Sequence, residues 1–121
     1  MIDTTFTTAN GLLLSVSITD AVENTARRDL GFVLANLAEL PPDQFVTRFE
    51  RQVRRRDPIN FFSLLYLGVE AQLEARGLSP EQFAAAVPHT HLPGALTALM
   101  RAIAARHPNS ALAKGLALAT R

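Results

Sequence analysis

The sequence predicts a mainly α-helical fold, a single domain of five or six short helices with a short N-terminal β-hairpin. Three observations predict it. From residue 20 onward apolar side chains recur at three- and four-residue steps, the spacing of one helix face. Capping residues, prolines and glycines punctuate that pattern at intervals that suit short helices. Before residue 19 the pattern alternates instead, on the far side of an Asn10-Gly11 turn signal. The chain has 121 residues, of which 48% are hydrophobic. That length suits one core, and that composition is inconsistent with a disordered polymer. We therefore expect one helical domain over 1–121, divided into a hairpin region (1–18), a helical core (20–107) and a C-terminal helix (108–121) prone to fraying when free.

Each element has its own signal. Leu12, Leu14, Val16 and Ile18 alternate with Leu13, Ser15 and Ser17, which defines an apolar strand face. A partner strand from Ile2 to Ala9, joined by a two-residue loop, would set Thr5 and Thr7 opposite Val16 and Leu14. A lone hairpin is marginal in water. This one is expected to lie on the helices or to pair with another chain through an open edge.

A first helix is expected from Asp20 to Leu40, opened by an Asp20-x-x-Glu23 capping box. Val22, Ala26, Leu30, Val33, Leu37 and Leu40 would share its inner face. Gly31 falls inside it, and a close crossing of two helices is the expected reason. Pro41-Pro42 ends the segment. A second helix, from about Pro42 to Arg55, buries Phe45, Phe49 and Val53. Asp57-Pro58 then supplies an N-cap acid and an N1 proline. The third helix, with Ile59, Phe62, Leu65, Tyr66, Val69 and Leu73 on one stripe, is expected to be the central one, closed by Gly77. Ser79-Pro80-Glu81-Gln82 starts a fourth helix of about two turns. A fifth, roughly Gly94 to His107, carries Leu96, Leu99, Met100 and Ile103. Ser110 can cap a last one. The predicted core is Leu14, Val16, Val22, Leu30, Leu34, Leu37, Phe45, Phe49, Val53, Phe62, Leu65, Tyr66, Val69, Leu73, Phe83, Leu96, Met100 and Ile103.

The chemistry-bearing residues are sparse, and no enzyme is expected. There is no cysteine, hence no disulfide framework or thiolate metal site. No Gly-x-Ser-x-Gly elbow and no glycine-rich phosphate loop occurs. His89-x-His91 is the one candidate metal pair, but loop and capping hydrogen bonds account for it and His107 lies far along the chain. Glu70 and Glu74 sit one turn apart on an exposed helix face. No catalytic residue, cofactor or metal site is therefore expected. No apolar run approaches the roughly 18–20 residues that span a bilayer, and the N-terminus lacks a secretion-signal pattern, so a cytoplasmic location is expected.

Charge is unevenly placed. Residues 1–47 hold six acidic and two basic side chains, and 48–121 hold five acidic and ten basic ones. That asymmetry suits head-to-tail encounter of subunits, while a chance distribution of charge is the preferred account of it. Five arginines fall within Arg48 to Arg56. Arg48, Arg51 and Arg55 share a helix face, the one arrangement here that suits phosphate or an acidic protein. With Leu12, Leu14 and Val16 on the hairpin, they form the expected partner-binding set.

The order of elements and three short motifs carry a resemblance. The N-terminal strand pair, A-V-E-N-T-A-R-R-D-L-G (21–31), L-L-Y-L-G-V (64–69) and G-L-S-P-E-Q-F (77–83) together resemble the small tail assembly chaperones of long-tailed bacteriophages and prophages. The resemblance spans roughly residues 11–88. Gly31 stands later than the glycine of the family pattern, and Gln82 replaces a common second acid. It implies a non-enzymatic role in the host cytoplasm. Such a protein coats tape measure protein during tail morphogenesis, recruits tail tube subunits, self-associates and is absent from the finished particle. The chain would then be the short form, or the N-terminal domain of a frameshift-extended one. Three other functions stay open at this point, among them a bacterial helical adaptor of an unrelated family; the remaining two are more specific. One is a nucleic-acid-binding accessory protein using the 48–56 arginines. The other is a virion structural subunit, such as a connector or tail-completion protein.

Overall fold

A one-residue difference in register decides how the N-terminus meets the helices. In the computed structural model, which describes residues 4–31, 33–54, 59–87 and 91–119, strands β1 (Thr5–Thr7) and β2 (Leu13–Ser15) pair antiparallel. Their register is Thr5 with Ser15, Phe6 with Leu14 and Thr7 with Leu13, not the one that a two-residue loop would impose. The connection is one residue longer than expected. Thr8 N donates to Leu12 O (2.9 Å), Gly11 N donates to Thr8 O (3.0 Å), and Gly11 takes a left-handed φ of +80°. The Thr8 hydroxyl accepts from Leu12 N at 3.1 Å, which rewards the longer loop. Because strand side chains alternate, a one-residue slip exchanges faces. The half-polar match is replaced by Phe6 against Leu14, both buried.

The edge of β2 is not open at Ser15. Gln72 of helix α4 (Ile59–Ala75) accepts from Ser15 N at 3.0 Å and donates to Ser15 O. Its amide stands in for the peptide of a third strand. Ser17 N donates to Gly68 O of the same helix at 2.8 Å, and Ala9 N donates to Ala86 O at 2.8 Å. The hairpin thus lies on the helices, and the expectation of an edge open to another chain is corrected at Ser15.

The expected first helix is two helices. Helix α1 (Asp20–Thr25) continues through a π-helical turn (Ala26–Leu30) and stops at Gly31, whose φ of +73° is the left-handed closing conformation. A Cβ placed on Gly31 would meet nothing within 4 Å, so the glycine ends a helix and no close crossing requires it. Helix α2 (Leu34–Ala38) restarts in a new phase. Leu34 and Leu37 are buried, whereas Val33, expected on the inner face, is 41% exposed.

The N-cap of α1 is Thr19, one residue before the expected Asp20. Its hydroxyl accepts from Val22 N at 3.2 Å. Asp20 and Glu23 face another helix end instead. Arg106 pairs with both, at 3.2 Å from Glu23, and His107 Nε2 lies 3.0 Å from the same Glu23 oxygen. Acids at one helix start thereby meet the Arg106 cation at another helix end, each favourable to its local dipole. Thr19→Ala is expected to cost about 1 kcal/mol in urea unfolding. Asp20→Ala, at a residue whose side chain is 85% exposed, should change stability by less than about 0.5 kcal/mol. The reverse order would place the cap back at Asp20.

Helices α3 (Pro42–Arg54), α4, α5 (Pro80–Ala86), α6 (Leu92–Arg106) and α7 (Ala111–Ala119) complete the described elements. Ser79 opens α5 with both bonds of a capping box, and Gly77 closes α4 at a φ of +67°. The start of α4 at Asp57-Pro58 lies outside the described residues, as do Arg55, Arg56 and His89. The side chains of Arg51, Val53 and Phe62 also lie outside the description. Seven α-helices stand among the described residues, because Gly31 divides the first expected one.

The central position that the pattern assigned to α4 is shared with α6. That helix packs on β1, α2, α3, α4 and α7, and Ala95, Ala98, Leu99, Ala102, Ile103 and Ala104 are all buried. Alanine carries almost no periodic signal, so a helix buried on most sides through alanine reads as weakly amphipathic. Helix α7, expected to fray, docks on α2, α3 and α6, with Leu112 fully buried. Ser110 caps it as expected, accepting from Ala113 N at 3.1 Å. Among predicted core residues, Val22, Leu30 and Tyr66 are only partly buried. Phe6, Leu64, Val87 and Leu99 join the core.

Candidate functional site

The three helical segments α1, α4 and α5 meet along an open groove of about 290 Å3. Each contributes side chains at helical spacing. The last residue of α1 supplies Thr25, and the π turn that continues it supplies Asp29 and Leu30. Ser63, Tyr66 and Leu67 come from one face of α4, at i, i+3 and i+4. Pro80, Phe83 and Ala84 repeat that spacing on α5. The π turn packs against α4, and Asp29 and Leu30 on it line the groove.

Aromatic contacts fix the groove floor. The Phe83 ring lies 6.5 Å from Phe6 of the hairpin, edge-on at 65°, and 6.3 Å from Tyr66 at 50°. These are favourable edge and tilted arrangements. Phe83 is 2% exposed, so its body belongs to the core and only its margin faces the groove. Leu30, Tyr66 and Leu67 remain partly exposed. At the mouth Arg28 Nε lies 2.9 Å from Asp29 Oδ1, and this hydrogen-bonded pair raises the arginine pKa and lowers that of the carboxyl.

Tyr66 is the electrostatic marker of the site. Burial pushes its phenol pKa up, and the negative charges of Glu70, Glu74 and Glu81 push it further in the same direction. The chain holds one tyrosine and no tryptophan, so tyrosinate absorbance reports this residue alone. Its titration midpoint is expected above the ordinary value near 10. Replacing the three glutamates by glutamine should lower the midpoint only in part, since burial is the larger cause. The folded state holds the proton more tightly than the unfolded chain. The associated stabilisation is therefore full below about pH 10 and is lost as pH rises through the folded pKa. A midpoint at or below the free value would contradict this surrounding.

The residues singled out from sequence fall elsewhere. Leu14 and Val16 are 0% and 2% exposed, so the hairpin spends them on its own core, and Leu12 is partly buried. Leu13, between them, is the outward one at 57% exposure. Arg48 is exposed on α3. Among the described residues no group of three or more His, Cys, Asp or Glu is placed to hold a metal ion, and no helix is long and apolar enough to cross a membrane. Leu30, Tyr66 and Phe83 were legible as helix-stripe residues but not as a site. The signal was their partial conflict with core duty, a tyrosine on a stripe followed one and two turns later by glutamates.

Comparison with models of protein families, with curated proteins and with solved structures finds no match to this chain.

Proposed function

We propose that this chain is a non-enzymatic tail assembly chaperone of a long-tailed bacteriophage or prophage, which holds tape measure protein through the groove between α1, α4 and α5. One observation carries the reading. Of the three segments that resemble the family, 21–31 is distant in sequence from 64–69 and 77–83, which lie on consecutive helices, yet residues from all three line this groove. Thr25, Asp29 and Leu30 belong to the first, Tyr66 and Leu67 to the second, Pro80 and Phe83 to the third. The groove's chemistry supports the same reading, because Leu30, Leu67 and Phe83 offer apolar surface to another polypeptide.

Co-expression of the full chain with a tape measure fragment tests the proposal. The fragment is expected to stay soluble and to co-purify. A fragment left insoluble and unbound beside soluble chain would overturn the reading. Mass spectrometry of purified particles separates a chaperone, absent from them, from a retained structural subunit.

A further inference from the structure

The groove has a chemical polarity that the chaperone reading does not use. Its floor is apolar, built by Leu30, Leu67 and Phe83. Beyond Tyr66 the surface turns acidic. Glu70 and Glu74 follow Tyr66 by one and two helical turns on the same face of α4, and Glu81 adjoins Pro80 on α5. None of the three glutamates has an ion-pair partner among the described residues. Arg28, the cation at the groove mouth, is already tied to Asp29. Unpaired like charges repel one another, so a cation arriving there would relieve a cost as well as form new contacts.

The groove also constrains the conformation of what enters it. Its walls are helices whose backbone groups are bonded internally, so they offer no strand edge. An extended segment would leave its own N–H and C=O groups without partners on the buried side. A helix satisfies them internally and presents only side chains. At about 290 Å3 the space lies just under the roughly 300–1,000 Å3 of small-molecule pockets. It suits a few aliphatic side chains from a larger body.

We infer that the occupant is an amphipathic helix of the client, with its apolar side in the groove and a lysine- or arginine-bearing flank along Glu70, Glu74 and Glu81. This rests on the chaperone reading and specifies which client segments it takes.

Fluorescence anisotropy with the full chain tests it, using two labelled synthetic helices with one shared apolar face. One carries a lysine flank and the other a glutamate flank. The lysine helix is expected to bind with a Kd that rises with salt. The glutamate helix should bind at least about tenfold more weakly, and the E70Q/E74Q/E81Q variant should lose roughly tenfold for the lysine helix. Equal affinity for both helices, an unchanged Kd in the variant, or no binding at all would overturn the inference. So would a concentration-dependent dimer, seen by sedimentation, that the triple variant abolishes, since a second copy would then be the occupant. Co-expression separates the two levels. If wild type and triple variant protect a tape measure fragment equally, the basic flank is refuted and the chaperone reading stands. If wild type leaves the fragment insoluble, both fall.

Discussion

Phe45→Ala is expected to remove about 3–5 kcal/mol of unfolding free energy, the range for a fully buried ring. Phe45 is 0% exposed and its ring lies 5.0 Å from that of Phe49, tilted by 50°. Helix α3 packs on α4, α6 and α7, so the vacated space is bounded by helices anchored elsewhere and closes only in part. At about 0.05–0.15 kcal/mol per residue, a loss of this size is a large fraction of the stability of a chain this long. Urea unfolding gives the value from the midpoint at constant m. A shift below about 1 kcal/mol would mean that α3 is not held where described.

Gly68→Ala is expected to destabilise by about 2 kcal/mol, although alanine is the better helix former by about 1 kcal/mol. The reason is the hairpin. A Cβ on Gly68 would stand 2.6 Å from Val16 Cγ1, inside contact distance of a branched side chain with little rotamer freedom. Overpacking of about 3 kcal/mol, set against the propensity gain, leaves that net loss. The bond from Ser17 N to Gly68 O, 2.8 Å long, ties the same two segments and limits how far they can separate. A double-mutant cycle isolates the contact. Val16→Ala removes the clashing methyl, so the double variant should be more stable than the sum of the single losses by about 1–2 kcal/mol. Strict additivity would place Val16 away from α4.

The helical class, the capping of α5 and α7 and the stop at Gly77 were legible because each rests on local chemistry within a few residues. The hairpin was legible as a hairpin, but its register was not. Asn10-Gly11 suits a two-residue loop, and only the Thr8 hydroxyl and the burial of Phe6 against Leu14 decide for one residue more. Gly31 was visible as an irregularity, but a glycine inside an apolar stripe reads the same whether it permits a crossing or ends a helix. Its positive φ settles that. Helix α6 was underrated because its alanines bury as fully as leucines while contributing no period. Gln72 shows what was available and passed over: a polar side chain on the same face as Leu65 and Val69, which needs a buried partner and finds it in the backbone of Ser15. The groove was the least legible feature, since it joins segments whose proximity is a tertiary outcome. The resemblance marked those segments, and nothing local marked that they meet.

Hydrogen exchange of the full chain, alone and with a tape measure fragment, tests the central claim most directly. Added protection is expected in 25–31, 63–67 and 80–84 together, with exchange in α3 around Arg48 unchanged. Unchanged exchange in those three segments, or protection confined to the arginine-bearing helix, would contradict it.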